Sequence, residues 1–173
     1  MITAAVVLGV GLYWFQPWKL WLDVRVSEAL PTVQVGLPKG SSPTQASTNP
    51  PSAPSGPQTL ARGDLISHEH NTTGTVKLIR LPDGSRILRL ENLDTSNGPE
   101  LRVWLTDAPV KKGAEGWSVF DDGKYVSLGK LKGNKGDQNY TIPADVNLAD
   151  YTSVTIWCDR FNVSFGAAEL AKA

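Results

Sequence analysis

The sequence predicts an all-β domain, an antiparallel β-sandwich, preceded by a single N-terminal transmembrane helix and a disordered linker. Three observations carry this. Residues 1–18, MITAAVVLGVGLYWFQPW, hold no charged side chain. Residues 31–57 are dense in Pro, Ser, Gly and Thr. From Gln58 to the C-terminus, short alternating apolar runs are separated by Gly, Pro, Asn and Asp turns, the pattern of a sandwich or barrel.

The uncharged run comes first. As a helix its residues would span about 27 Å, close to the roughly 30 Å of a bilayer core. Tyr13, Trp14, Phe15 and Trp18 gather at one end, as aromatic rings do at a membrane interface. Lys19 can snorkel and let the helix reach Leu22. A cleaved signal peptide would end in small residues, and bulky aromatics stand there instead, so residues 1–22 read as a retained anchor. No Lys or Arg precedes the run, so charge does not fix its orientation. Residues 19–30, KLWLDVRVSEAL, read as a juxtamembrane segment. Residues 31–57 lack aromatics and bury too little surface to offset ordering entropy. They read as a flexible tether, so residues 23–57 link the anchor to a domain over 58–173.

Within the domain, GTVKLIRL (74–81) and RILRLENL (86–93) flank Asp83-Gly84 and predict a hairpin. ELRVWLTD (100–107), YVSLGKL (125–131) and DQNYTIP (137–143) follow as strands, each after a Gly- or Asn-rich turn. SVTIWCDRFNVSFGAAEL (153–170) supplies one or two more, and ADVNLADY (144–151) suits a turn of helix.

Composition limits function. The 173 residues carry 17 basic and 17 acidic side chains, which gives no electrostatic basis for nucleic-acid binding. A single cysteine excludes an internal disulfide, a cysteine-rich zinc site and a CxxC pair. No GxSxG elbow, P-loop, HExxH or Rossmann fingerprint occurs.

Three sets of residues remain. Alternation puts Val154, Ile156 and Cys158 on one strand face and Thr155, Trp157 and Asp159 on the other. Cys158 thus falls on the apolar side, where a free cysteine is commonly an inert core residue. Asp159 and Arg160 end the apolar pattern, however, and a thiol at a strand end beside Arg160 could be partly exposed with a lowered pKa. Both readings stay open. Trp104 and Trp157 share faces with polar neighbours, which suits a ligand-binding surface; the plainer alternative is a loop covering both rings. His68 and His70, two residues apart, could chelate a metal with Glu69 or join Cys158 in a two-His, one-Cys set of the blue-copper type. No His follows Cys158, and Met1 is the only methionine. Exposed loop histidines are therefore the simpler expectation.

The stretches EHNTTGTVKLIRLPDGSRILRLENLDTSNGPELRVWLTDAPV and LGKLKGNKGDQNYTIPADVNLADYTSVTIWCDRFNVSFGAAEL resemble the electron transfer DM domain family (DM-thirteen) over about Leu60 to Leu170. The motifs NGPELRVWL, LKGNKGDQNY and IWCDRFNVSFGAA carry the likeness. The layout of anchor, tether and domain is similar to that of bacterial members, which hold the domain outside the cytoplasmic membrane. The resemblance implies a β-sandwich. It also implies that Cys158 matches the family's cysteine, proposed to act in redox or electron transfer, with Asp159 and Arg160 positioned to tune it. It names no cofactor, and any electron donor would be a separate redox protein or a small thiol. Two functions follow as expectations. One is a membrane-anchored, extracytoplasmic redox module working through Cys158. The other is a non-catalytic surface-binding module using Trp104, Trp157 and the loop from Gly133 to Asp137.

Overall fold

The structure is a computed structural model that describes residues 9–14, 16, 18–19, 22–31 and 56–173. The first eight residues of the expected anchor and residues 32–55 of the expected tether lie outside the described residues. Residues 9–14 are helical. No helix among the described residues is long and apolar enough to cross a membrane.

Eleven strands among the described residues form two sheets packed as a sandwich. In chain order they are β1 (Arg25–Ser27), β2 (Gln58–Asp64), β3 (Ile66–Ser67), β4 (Thr73–Arg80), β5 (Arg86–Asp94), β6 (Leu101–Thr106), β7 (Tyr125–Lys130), β8 (Lys135–Ile142), β9 (Ser153–Cys158), β10 (Val163–Glu169) and β11 (Ala171–Lys172). One sheet runs β1-β8-β5-β4-β2-β11 and the other β3-β10-β9-β6-β7. All pairings are antiparallel except β1 with β8.

The expected hairpin is β4–β5. Gly84 takes φ 84°, which glycine adopts without a Cβ penalty, and Asp83 accepts hydrogen bonds from the backbone and hydroxyl of Ser85. The register pairs Val76 with Leu90 and Leu78 with Leu88. All four side chains therefore point at the opposite sheet, where they meet Val103, Leu105, Val154, Ile156 and Phe165 in the central core. The expected helical turn over 144–151 is a single 3-10 turn, Leu148–Asp150, in which the Asn147 side chain accepts from the Ala149 amide.

Two features differ from the sequence expectation. The segment expected to lie beside a membrane contributes β1. Arg25, Val26 and Ser27 pair with Lys135, Gly136 and Asp137, so the stretch from Gly133 to Asp137 is covered rather than open as a binding loop. Glu28 anchors the segment: its carboxylate accepts from Lys132 at 2.7 Å and from the Asn139 amide at 2.7 Å. Its carbonyl accepts from buried Arg89 at 2.9 Å. Leu30 then packs on Ile79, Leu81 and Ile87, on the outer face of the larger sheet.

The second difference is in β9, where every residue is buried. Alternation predicted one wet face. The segment between β6 and β7 folds over that face and buries Trp104, Ala108, Phe120, Trp157 and Ala167 in a second apolar cluster.

Candidate functional site at Cys158

Cys158 ends β9, opposite Leu101 of β6 and Val163 of β10. Its side chain faces the central core and is fully buried. Directly after it the chain turns: the Phe161 amide donates to the Cys158 carbonyl at 3.3 Å, and Asn162 takes φ 50°. Asparagine tolerates that left-handed conformation better than most residues. The turn brings the backbone N–H groups of Phe161 and Arg160 to the thiol, and Glu100 supplies a third from the start of β6.

These donors would stabilise a sulfur anion, yet burial is the larger effect and pushes the thiol pKa up. The negative charge of Glu69 pushes the same way. In the resting fold, Cys158 is a protonated thiol sealed at one end of the core.

The side chains of Asp159 and Arg160 are engaged with partners of their own. The Asp159 carboxylate pairs closely with Arg102. The Arg160 guanidinium lies 3.8 Å from Glu100, donates to the Trp14 carbonyl at 2.8 Å and sits 5.3 Å from the Trp14 ring centroid. Arg102 also reaches Glu100 at 3.9 Å. Two arginines and two carboxylates thus alternate over the strand ends with no net charge. What Arg160 gives the thiol is its backbone N–H, which acts against the larger effect of burial.

Both tryptophan rings are largely buried. Trp104 is 5% exposed and Trp157 1%. The rings stack on each other at 5.0 Å, and Tyr125 covers the Trp104 ring at 4.0 Å with a 10° tilt. Tyr125 is the exposed member of the stack. Trp104 and Trp157 still line, with Arg102, Tyr125 and Asp159, a surface pocket of about 360 Å³. Trp104 Nε1 is buried without a hydrogen-bond partner.

The histidines correct the expectation of exposed loop residues. His68 is buried. Its Nε2 lies 3.0 Å from the Lys111 carbonyl and its Nδ1 lies 2.7 Å from Ser164 Oγ. A carbonyl only accepts, so Nε2 carries the hydrogen and Nδ1 accepts from Ser164. Neither nitrogen keeps a free lone pair for a metal, and desolvation holds the ring's pKa down. His70 stacks on Phe165 at 3.9 Å and stands 3.7 Å from Glu69. The two rings do not converge, and among the described residues no group of three or more His, Cys, Asp or Glu is placed to hold a metal ion.

Residues 64–170, more than half of the chain, match the family model described as Electron transfer DM13. The chain belongs to this family. The electron-transfer DM13 match spans β3 through β10 and includes Cys158 and the turn that follows it. It starts after β1 and most of β2, so the strand that ties the N-terminal segment to the sandwich lies outside it. No curated protein and no solved structure matches the chain.

Sequence reasoning missed Glu100, Phe161, Tyr13 and Trp14 as parts of this site. No spacing rule ties residues 13–14 to 160. The only signal available was the turn after Asn97-Gly98-Pro99, which places Glu100 at a strand start.

Proposed function

We propose that this chain is a membrane-anchored, extracytoplasmic electron-transfer domain in which Cys158 is the redox group. The carrying observation is a buried free thiol at a strand end whose anion is favoured by the backbone N–H groups of Glu100, Arg160 and Phe161. Backbone donors of this kind favour a sulfur bearing negative charge. The family supports an electron-transfer role. The uncharged run of residues 1–18, with aromatics at its end, supports the anchor.

A lone thiol needs a second molecule. Cys158 and the thiol of a partner protein or small thiol lose their two hydrogens and form one mixed disulfide. Two electrons and two protons pass to an acceptor, and a further thiol later restores Cys158 by exchange. In the resting fold the turn over Asp159 to Asn162 must swing aside first, because the thiol is sealed. Asp159 and Arg160 contribute by holding that turn closed through Arg102, Glu100 and Trp14.

The test is alkylation of Cys158 across pH in the full chain, paired with a Cys158→Ser variant. The raised pKa places the labelling midpoint above the free-thiol value of about 8.5. Rapid labelling at neutral pH would show that the seal does not hold. Cys158→Ser should fold and lose thiol-dependent electron transfer; a variant that still transfers electrons would overturn the role of the sulfur.

A further inference from the structure

The described residues expose nine large hydrophobic side chains, and seven of them (Val10, Leu12, Tyr13, Trp14, Trp18, Leu22 and Val24) lie between residues 10 and 24. Such a concentration on one segment marks an interaction surface. The segment is not a loose leader. Asn97 donates to the Leu22 carbonyl at 3.2 Å, Lys19 to the Pro99 carbonyl at 3.4 Å, and Asn134 accepts from the Val24 amide at 2.7 Å. It therefore arches over the strand ends next to Cys158.

Beneath that arch is a pocket of about 390 Å³, within the size range of small-molecule sites. Trp18, Leu22, Leu101 and Leu131 give it apolar walls, and the Lys19 ammonium reaches the Pro99 carbonyl in its wall. One wall is Pro99, Glu100 and Leu101. Leu101 is the cross-strand neighbour of Cys158, and the backbone N–H of Glu100 is one of the three that favour its anion. The pocket and the thiol thus share a wall one strand thick.

We propose that this pocket holds the ring of a lipid-soluble quinone, the electron acceptor for Cys158. A quinone ring is flat and apolar and carries two carbonyl acceptors and no donor. The pocket answers with an indole, aliphatic walls and the Lys19 ammonium. An anionic phospholipid headgroup fits less well: acidic Glu100 lines the same space, and Lys132 is already neutralised by Glu28 at 2.7 Å. The exposed apolar side chains of residues 10–14 offer a path for the quinone's tail along the N-terminal segment. The inference rests on the thiol reading above and names its acceptor. In the balanced step, the Cys158 thiol, a small thiol and the quinone give a mixed disulfide and a quinol. Two S–H bonds break, one S–S bond forms, and both electrons and both protons end on the quinone oxygens.

The experiment uses the full chain in nonionic detergent micelles and a fully ring-substituted, short-tail benzoquinone, which cannot arylate thiols. Calorimetric titration should show saturable binding, weakened about tenfold in Trp18→Ala, which removes one aromatic face. Cys158→Ser should bind equally well but lose quinone reduction driven by added glutathione above the protein-free rate. No saturable binding, or equal binding by Trp18→Ala, would overturn the pocket. So would saturable binding of short-chain phosphatidylglycerol in place of the quinone. Binding that responds to Trp18→Ala, together with quinone reduction unaffected by Cys158→Ser, would leave the pocket standing and sink the thiol. Mixed-disulfide formation at Cys158 without quinone binding would do the reverse.

Discussion

Gly136 is the position where the attachment of the N-terminal segment can be broken most selectively. It takes φ +95°, and a Cβ added there would run into the carbonyl oxygen of Val26 in β1. Gly136→Ala therefore carries two costs. The left-handed conformation costs a residue with a side chain about 1–2 kcal/mol. Relieving the clash means moving Val26 off β8, with loss of ladder hydrogen bonds worth about 1 kcal/mol each. The sum, roughly 3 kcal/mol, is about a hundredfold in a local opening equilibrium. The docked segment is short and its hydrogen bonds must already offset ordering entropy, so β1 should detach while the sandwich stays folded. Amide hydrogen exchange reads this directly. The Glu28 amide, which donates to the Asp137 carbonyl at 3.0 Å, and the Lys135 amide, which donates to the Val24 carbonyl at 3.2 Å, report on the docked segment. Both should exchange about a hundredfold faster in the variant, while the amides of Leu105 and Ile156 keep their protection. Unchanged exchange at Glu28 and Lys135 would refute the claim that β1 is an integral strand of the sheet.

Two further predictions concern the layer over the smaller sheet. His68 has a folded-state pKa held down by desolvation, against a smaller upward pull from the Lys111 carbonyl. A depressed pKa means that the unfolded chain takes up the proton first. The contribution of His68 to stability is therefore complete above about 6.5, the unperturbed value, and is lost as pH falls below it. Wild-type stability should fall more steeply than that of His68→Gln between about pH 7 and pH 5 by chemical denaturation, and parallel profiles would refute this. Trp157→Ala empties the centre of the aromatic cluster and should cost about 3–5 kcal/mol. Tyr125→Ala removes only an exposed stacking partner and should cost about 0.5–1.5 kcal/mol. Equal urea midpoints for the two variants would mean that Trp157 is not enclosed as described.

Much of the sandwich was readable because alternation and turn chemistry agree in it. Asp83-Gly84 marks a hairpin on its own, and Val76, Leu78, Leu88 and Leu90 name the buried face of β4 and β5. The same rule failed on β9 and β6. Alternation distinguishes apolar from polar neighbours, and Thr155, Ser153 and Arg102 made the Trp104 and Trp157 face look wet. Ser153 and Thr155 are buried because their hydroxyls find partners: Ser153 donates to the Ala108 carbonyl at 2.6 Å, and Thr155 to Ser164 at 2.8 Å. A satisfied hydroxyl costs little in a core, and nothing in a strand's own spacing says whether a distant loop will cover it. The role of β1 was hidden for another reason. RVS is too short to show a period, and its partners lie more than a hundred residues away. The face assignment of Cys158 was legible. Its three amide neighbours were not, since they come from a turn and from a second strand.

Glu100 is where the separate features of the molecule meet, and its two ends act differently. Its backbone N–H favours the Cys158 anion. Its carboxylate stands between Arg102 and Arg160, and the residue lines the pocket under the N-terminal arch. Arg160 in turn holds the carbonyl of Trp14. Any displacement of residues 13–14 therefore removes a partner from Arg160, and the carboxylate of Glu100 is the charge positioned to compensate. The backbone of Glu100 is fixed meanwhile, because its carbonyl accepts from the Asp159 amide at 3.1 Å. The side-chain network over the thiol can thus rearrange with the N-terminal segment while that donor stays in place. Opening the turn over Asp159 to Asn162 carries away the Arg160 and Phe161 N–H groups, so Glu100 supplies the one of the three that lies outside the moving turn.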